Sequence, residues 1–308
     1  MVDLSVRKGK LSLKNPIMTA SGTFGYADEF EDFIDVSRLG AVVTKAISLN
    51  PRPGNSWNRV IEVTSGMINS IGLENVGIEK FISDKLPVLR KKNIDFVVNL
   101  AGSGMDEYVE LARICDANKI HAVELNVSCP NVKSGCLEFG TDARTLGELV
   151  KSVREVYNGC LIVKLTPNVT RIEDIALAAQ ENGADAVSAI NTLKGLGMKL
   201  SFKNGKFYRE QVIGGFSGMA VKPVALGVVN RLKSVLDIPI IGLGGIASMQ
   251  DVLEFFAVGA DAVQIGTANF TTPDISVRII DELSAFMEEN GFRTLEELKA
   301  ELRCFPPR

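Results

Sequence analysis

Residues Glu124 to Asn131 read ELNVSCPN and place a thiol, Cys129, between two carboxamides, Asn126 and Asn131. The apolar stretch that opens at Ala122 halts at Pro130, which cannot donate to a sheet ladder. Cys129 is therefore expected at the carboxyl end of a buried strand, where α/β enzymes hold their chemistry. A thiol beside carboxamides suits proton abstraction from a polar heterocycle, although most free cysteines are inert core residues. Lys45 and Lys164 also close apolar runs, and a lysine in such a setting is costly unless it meets an anion. The carboxamides of Asn69, Asn126, Asn131 and Asn191 each offer a donor and an acceptor, which matches the alternating C=O and N–H edge of a pyrimidine ring.

These residues need a scaffold that brings strand ends together. Short β-rich apolar runs recur at Ile17–Ala20, Ala41–Thr44, Phe96–Leu100, Ala122–Val127, Leu161–Leu165, Ala186–Ile190, Ile238–Leu243 and Ala262–Ile265. Helical periodicity fills the gaps between them. Leu146, Leu149, Val150, Val153 and Tyr157 keep one face apolar. A second helix is expected to open at Thr170, with Glu173 completing a capping box, and to bury Ile172, Ile175, Ala176 and Ala179. Strands apolar on both faces, each followed by a helix, predict an α/β fold: a single (β/α)8 TIM barrel, with an open doubly wound sheet as the alternative. Residues 2–15 predict an N-terminal hairpin turning at Lys8-Gly9-Lys10 and plugging the far end. Two long loops, Ile47 to Gly77 and Lys194 to Met219, follow strands and are expected over the catalytic mouth. With no linker in view, residues 1–308 read as one domain.

In a barrel the strand ends converge: Ser21-Gly22, Thr44-Lys45, Asn99, Asn126 with Cys129, Lys164, Asn191-Thr192, Gly244-Gly245 and Gly266-Thr267. The glycines of GLGGIAS (Gly242 to Ser248), next to a helix capped by Ser248, together with Gly266-Thr267, have the character of a backbone phosphate site. A lysine near the pyrimidine edge of a flavin would stabilise the anion formed on reduction.

Composition removes several other function classes. A formal net charge of −3 makes no electrostatic case for nucleic acid or an anionic membrane. The opening residues alternate polar and apolar, unlike a signal peptide, and no apolar run approaches bilayer length, so the chain reads as soluble. Five cysteines without a CxxC pair argue against a disulfide framework and against thiolate-bound zinc or iron–sulfur centres. The single histidine, His121, precedes a strand and reads as structural, which leaves no histidine metal site and no Ser-His-Asp triad. No metal site is expected.

Over essentially its whole length the chain resembles the cytosolic dihydroorotate dehydrogenases, specifically the catalytic subunit of the NAD-linked type. The resemblance lies in NPIMTASGTFGY (Asn15–Tyr26), TKAISLNPRPGN (Thr44–Asn55), GMINSIGLENVG (Gly66–Gly77), NVSCPNVKSG (Asn126–Gly135), VKLTPN (Val163–Asn168), INT (Ile190–Thr192), GGFSGMAVKP (Gly214–Pro223), GLGGI and QIGTA. It implies FMN contacts at Ser21, Lys45, Ala46, Asn99, Asn126, Lys164, Ile190, Gly218, Gly244, Gly245, Gly266 and Thr267. It implies substrate contacts at Lys45, Asn69, Ser70, Ile71, Gly72, Leu73, Asn126, Asn191 and Thr192, with Cys129 as the base. The implied reaction removes a proton from C5 and a hydride from C6 of dihydroorotate, giving orotate and reduced FMN in pyrimidine biosynthesis. The loop from Asn131 to Thr141 is a candidate lid.

The sequence holds neither a GxGxxG dinucleotide fingerprint nor a four-cysteine iron–sulfur cluster. NAD linkage therefore implies a partner subunit carrying FAD and a [2Fe-2S] centre, with a homodimer of this chain inside a heterotetramer in the cytoplasm. A fumarate-linked single-subunit enzyme is the nearest alternative, and a non-redox phosphosugar lyase or isomerase barrel a remoter one. A phosphate-ligand sensor would have no need of a thiol base. Three positions depart from the family pattern: Ala46 stands where glycine is usual, Trp57-Asn58 replaces a proline-containing stretch before Arg59, and Cys136 takes the place of a glycine.

Overall fold

The computed structural model describes residues 2–56, 58–128 and 139–302. Eight parallel strands close into a barrel: Ile17–Thr19, Ala41–Val43, Phe96–Leu100, Ala122–Asn126, Cys160–Lys164, Ala186–Ala189, Ile240–Leu243 and Ala262–Ile265, numbered one to eight in chain order. Neighbours around the barrel follow that order, and strand eight closes on strand one with Ile265 opposite Thr19. Valine and isoleucine dominate these strands, and every residue of strands one, two, five, six, seven and eight is buried. Branched side chains packed on both faces are what a parallel sheet wrapped by helices requires. The pairing of strand eight with strand one excludes the open-sheet alternative.

The helix Ala143–Arg154 buries Leu146, Leu149, Val150 and Val153, as its periodicity predicts, and Asp142 caps it by accepting the Thr145 N–H at 2.8 Å. Tyr157, just beyond, is buried and donates to the Ile120 carbonyl at 2.9 Å. The expected capping box at Thr170 does not form. The next helix, Ile172–Glu181, has Arg171 at its N-cap with no side-chain cap, and Arg171 pairs instead with Asp174.

The strands Val6–Lys8 and Leu11–Leu13 form the N-terminal hairpin. Lys8 reaches Asp261, just before strand eight, at 2.7 Å, and Lys10 donates to the Asn158 carbonyl, just before strand five, at 3.0 Å. Both partners lie at amino-terminal strand ends, so the hairpin covers the end opposite the mouth.

The two long connections are not loops. Val60–Val63 with Gly66–Asn69, and Leu193–Lys203 with Lys206–Ser217, are antiparallel hairpins that join into one four-stranded sheet through Gly215 opposite Asn69. Ile61, Ile68 and Val212 make a small apolar core for it. Gly197 permits the close packing, since a Cβ there would stand 2.1 Å from Ile61 Cγ2. The sheet is fixed to the barrel at its mouth, where Thr267 donates to Ser217 at 2.8 Å. Among the described residues, no helix is long and apolar enough to cross a membrane.

Candidate active site

A cavity of about 1300 Å³ opens at the carboxyl ends of the barrel strands, beneath the four-stranded sheet. One small ligand typically occupies roughly 300–1,000 Å³, so this space suits a cofactor and a substrate together. Ser21, Lys45, Ala46, Asn126, Lys164, Ile190, Gly244, Gly245, Gly266 and Thr267 line it from the barrel. Asn69 to Leu73, Asn191, Thr192 and Gly218 line it from the covering sheet and its connections. Of the predicted site residues that are described, Asn99 alone is set back from the wall, fully buried. Cys129, Asn131 and Cys136 lie outside the described residues, as does most of the candidate lid.

The floor is polar and closed. Lys164 is 5% exposed, and its Nζ lies 3.6 Å from a carboxylate oxygen of Glu124, which is 0% exposed. Glu124 also accepts from Asn99 Nδ2 at 2.7 Å, Ser188 Oγ at 2.7 Å and Gln264 Nε2 at 2.8 Å. Buried charge is tolerable only when paired and hydrogen-bonded in this way. Neither Glu124 nor Gln264 has a role that the sequence alone makes legible. An acidic residue inside an apolar strand was the available signal, but its partners come from strands three, five, six and eight.

Above the floor, Asn191 donates from Nδ2 to Asn126 Oδ1 at 3.1 Å and accepts the Thr192 N–H at 2.8 Å. Asn69 donates to the Gly215 carbonyl at 3.1 Å across the covering sheet. Asn168, another lining residue that sequence reading placed in a motif but not in the site, holds the Thr192 carbonyl at 2.9 Å and the Lys194 N–H at 2.9 Å. Tyr108 anchors the end of strand four by donating to the Asn126 carbonyl at 2.7 Å. Lys45 stands nearer the entrance, with Nζ 3.8 Å from Glu74, which also pairs with Arg59. Hydrogen bonding to Arg59, reinforced by the Lys45 charge, holds the Glu74 carboxyl below its ordinary range.

At the other end, Gly244 and Gly245 take φ of 127° and 79°, and a Cβ on Gly245 would stand 2.7 Å from Lys222 Cβ. Such backbone admits glycine and can approach a ligand closely. Ser248 caps the following helix, Met249–Ala257, as the sequence predicts. Asp251 fastens the turn by accepting from the Ala247 N–H at 2.8 Å, Ser248 Oγ at 2.9 Å and Lys222 Nζ at 2.6 Å. Burial acts to raise the Asp251 pKa, but these bonds outweigh it and hold the carboxyl below its usual range.

Two other thiols can be placed. Cys115 and Cys160 are buried in the core, and desolvation pushes each thiol up to about 12. Neither can serve as a thiolate near neutrality. An alkylating reagent at mildly alkaline pH is expected to spare both in the native protein and to reach them only after unfolding, as peptide mass mapping would read. Native labelling of either would contradict the packing described.

Comparisons with known proteins identify the family. The family model for dihydroorotate dehydrogenase matches residues 3–287. A Bacteroides thetaiotaomicron protein named dihydroorotate dehydrogenase B (NAD(+)), catalytic subunit, is 46% identical over 299 residues, which cover 97% of this chain and 98% of the relative. Proteins of the same name from Bacteroides fragilis, 47% identical over 97% of this chain and 98% of theirs, and Pelobacter propionicus, 46% over 98% and 99%, match equally well. With a closed barrel, a polar floor and a near full-length match all in agreement, the chain belongs to the dihydroorotate dehydrogenase family.

Proposed function

We propose that this chain oxidises dihydroorotate to orotate, a step of pyrimidine biosynthesis, as the NAD-linked catalytic subunit. The observation that carries the proposal is the convergence, on one cavity, of nearly every described residue that the family pattern marks. FMN fits the cavity. Gly244, Gly245, Gly266 and Thr267 would hold its phosphate, and Lys164 and Gln264 offer a cation and an orphaned buried acceptor oxygen to a ring with C=O and N–H groups. Bound FMN would supply the hydride acceptor. Residues 1–308 would then act as one FMN-binding domain.

Within this reading Cys129 takes the C5 proton of the substrate, and the carboxamides of Asn69, Asn126 and Asn191 orient the ring. Ser70 to Leu73 close over it and exclude water. Lys45, 3.8 Å from Glu74, would offer a cation to the substrate's carboxylate. Asn69→Ala and Asn191→Ala are expected to weaken orotate binding about tenfold each while FMN stays bound, the loss expected for one hydrogen bond to a charged or polar ligand. Orotate titration of the flavin absorbance measures this, and unchanged affinity in both variants would remove them from the substrate site.

The relatives are named as catalytic subunits, which supports an electron-transfer partner. The proposed partner carries FAD and a [2Fe-2S] centre, and the assembly is a heterotetramer around a homodimer of this chain, in the cytoplasm. The test is anaerobic. Dihydroorotate should bleach the purified yellow chain alone, whereas NAD reduction should require the added partner. Robust NAD reduction by the isolated chain would refute the partner, and turnover with fumarate in its place would favour the single-subunit alternative.

A further inference from the structure

We propose that Glu124 is the positioning residue that sets the polarity of the cavity floor, making Gln264 a hydrogen-bond acceptor and Lys164 a part-neutralised cation toward the flavin ring. The proposal rests on the FMN reading above. A carboxylate only accepts hydrogen bonds, so any carboxamide bonded to it must present its NH2 group. Gln264 Nε2 and Asn99 Nδ2 both do so, at 2.8 and 2.7 Å. Their carbonyl oxygens, Gln264 Oε1 and Asn99 Oδ1, are buried and have no partner among the described residues. An orphaned acceptor at such depth is costly unless a ligand completes it. Asn99 lies behind the wall, but Gln264 lines the cavity, and with its NH2 group held by Glu124 the atom it leaves buried without a partner among the described residues is Oε1.

The oxidised isoalloxazine ring has a single ring N–H, at N3, flanked by two carbonyls. Gln264 Oε1 answers the N–H and Lys164 answers a carbonyl, and both orientations trace back to one carboxylate on strand four. Ser188, at 2.7 Å, holds that carboxylate from strand six. With no Glu124 charge, Gln264 could turn its NH2 group to the cavity, and Lys164 would face the ring uncompensated.

The test compares the full chain with Glu124→Gln and Gln264→Met, each loaded with FMN labelled with ¹⁵N at N3. The parent should show a slowly exchanging N3–H proton. Both variants should lose its slow exchange, and Glu124→Gln should bind oxidised FMN roughly tenfold more weakly. The flavin midpoint potential of Glu124→Gln should also move positive, because an uncompensated Lys164 favours the anionic reduced ring. A general loosening of the floor would weaken binding without raising the potential. A folded Glu124→Gln protein with an unmoved N3–H signal and an unmoved or more negative potential would overturn the proposal. Should Glu124→Gln fail to fold, Gln264→Met decides, since retention of the parental N3–H signal there would show that Gln264 is not the acceptor. A parent chain that binds no FMN would defeat the functional reading itself, and this inference with it.

Discussion

Replacing Cys129 with alanine is expected to slow reduction of the bound flavin by dihydroorotate ~10²–10⁴-fold, the contribution of a positioned general base. Fold and yellow colour should survive, because Lys164 ends strand five and the glycine turns at Gly244-Gly245 and Gly266 follow strands seven and eight. Cys115 and Cys160 are sealed in the core, so neither can substitute as base. A free thiol has a pKa near ~8.5, which puts an accessible one within reach of thiolate at mildly alkaline pH. Cys129→Ser should accordingly recover activity chiefly at high pH, since a hydroxyl is a far weaker acid. Cys136→Ala should cost little. Anaerobic stopped-flow traces decide the matter: a parental rate in Cys129→Ala with collapse in Cys136→Ala would name the other thiol, and normal rates in both would leave the mechanism without a cysteine base.

The barrel was legible because each strand is a short, doubly buried apolar run whose end is polar. That pattern survives in one dimension, and it placed the eight strands to within two residues at either boundary. The covering sheet was not legible as strands. Leu196, Met198, Leu200 and Phe202 alternate as a strand would, but these apolar side chains are exposed and the inward face is mostly glycine and polar, so the hairpin's alternation does not mark a buried face. Its pairing depends on the Gly215–Asn69 junction between segments far apart in sequence. The capping box at Thr170 had the right spacing, but the helix begins one residue later, where the Arg171–Asp174 pair forms. The site shows the same division. Strand-end residues could be listed from sequence, because closing a barrel makes strand ends converge. Glu124 could not be given a role, because its meaning lies in four neighbours contributed by four other strands.

Lys164→Ala is the second substitution expected to have a large effect, and it acts in two separable ways. Toward the flavin, it removes a buried cation, so FMN retention should weaken and the reduction potential should fall. Toward the fold, it strands the Glu124 carboxylate, which is 0% exposed and loses the only charge of opposite sign that the described residues place beside it. Removing one partner of a buried pair typically costs ~3–5 kcal/mol. The low end applies here, because Asn99, Ser188 and Gln264 still donate to Glu124. Thermal or denaturant unfolding of the FMN-free chain isolates the second effect from the first. The two effects also part in the double variant. Adding Glu124→Gln to Lys164→Ala removes the stranded charge, so much of the lost stability should return, while the cation that favours reduced flavin stays absent and the potential stays low. A double-mutant cycle showing additive stability losses would mean that Lys164 and Glu124 do not act as a pair, and that the 3.6 Å between them is proximity alone.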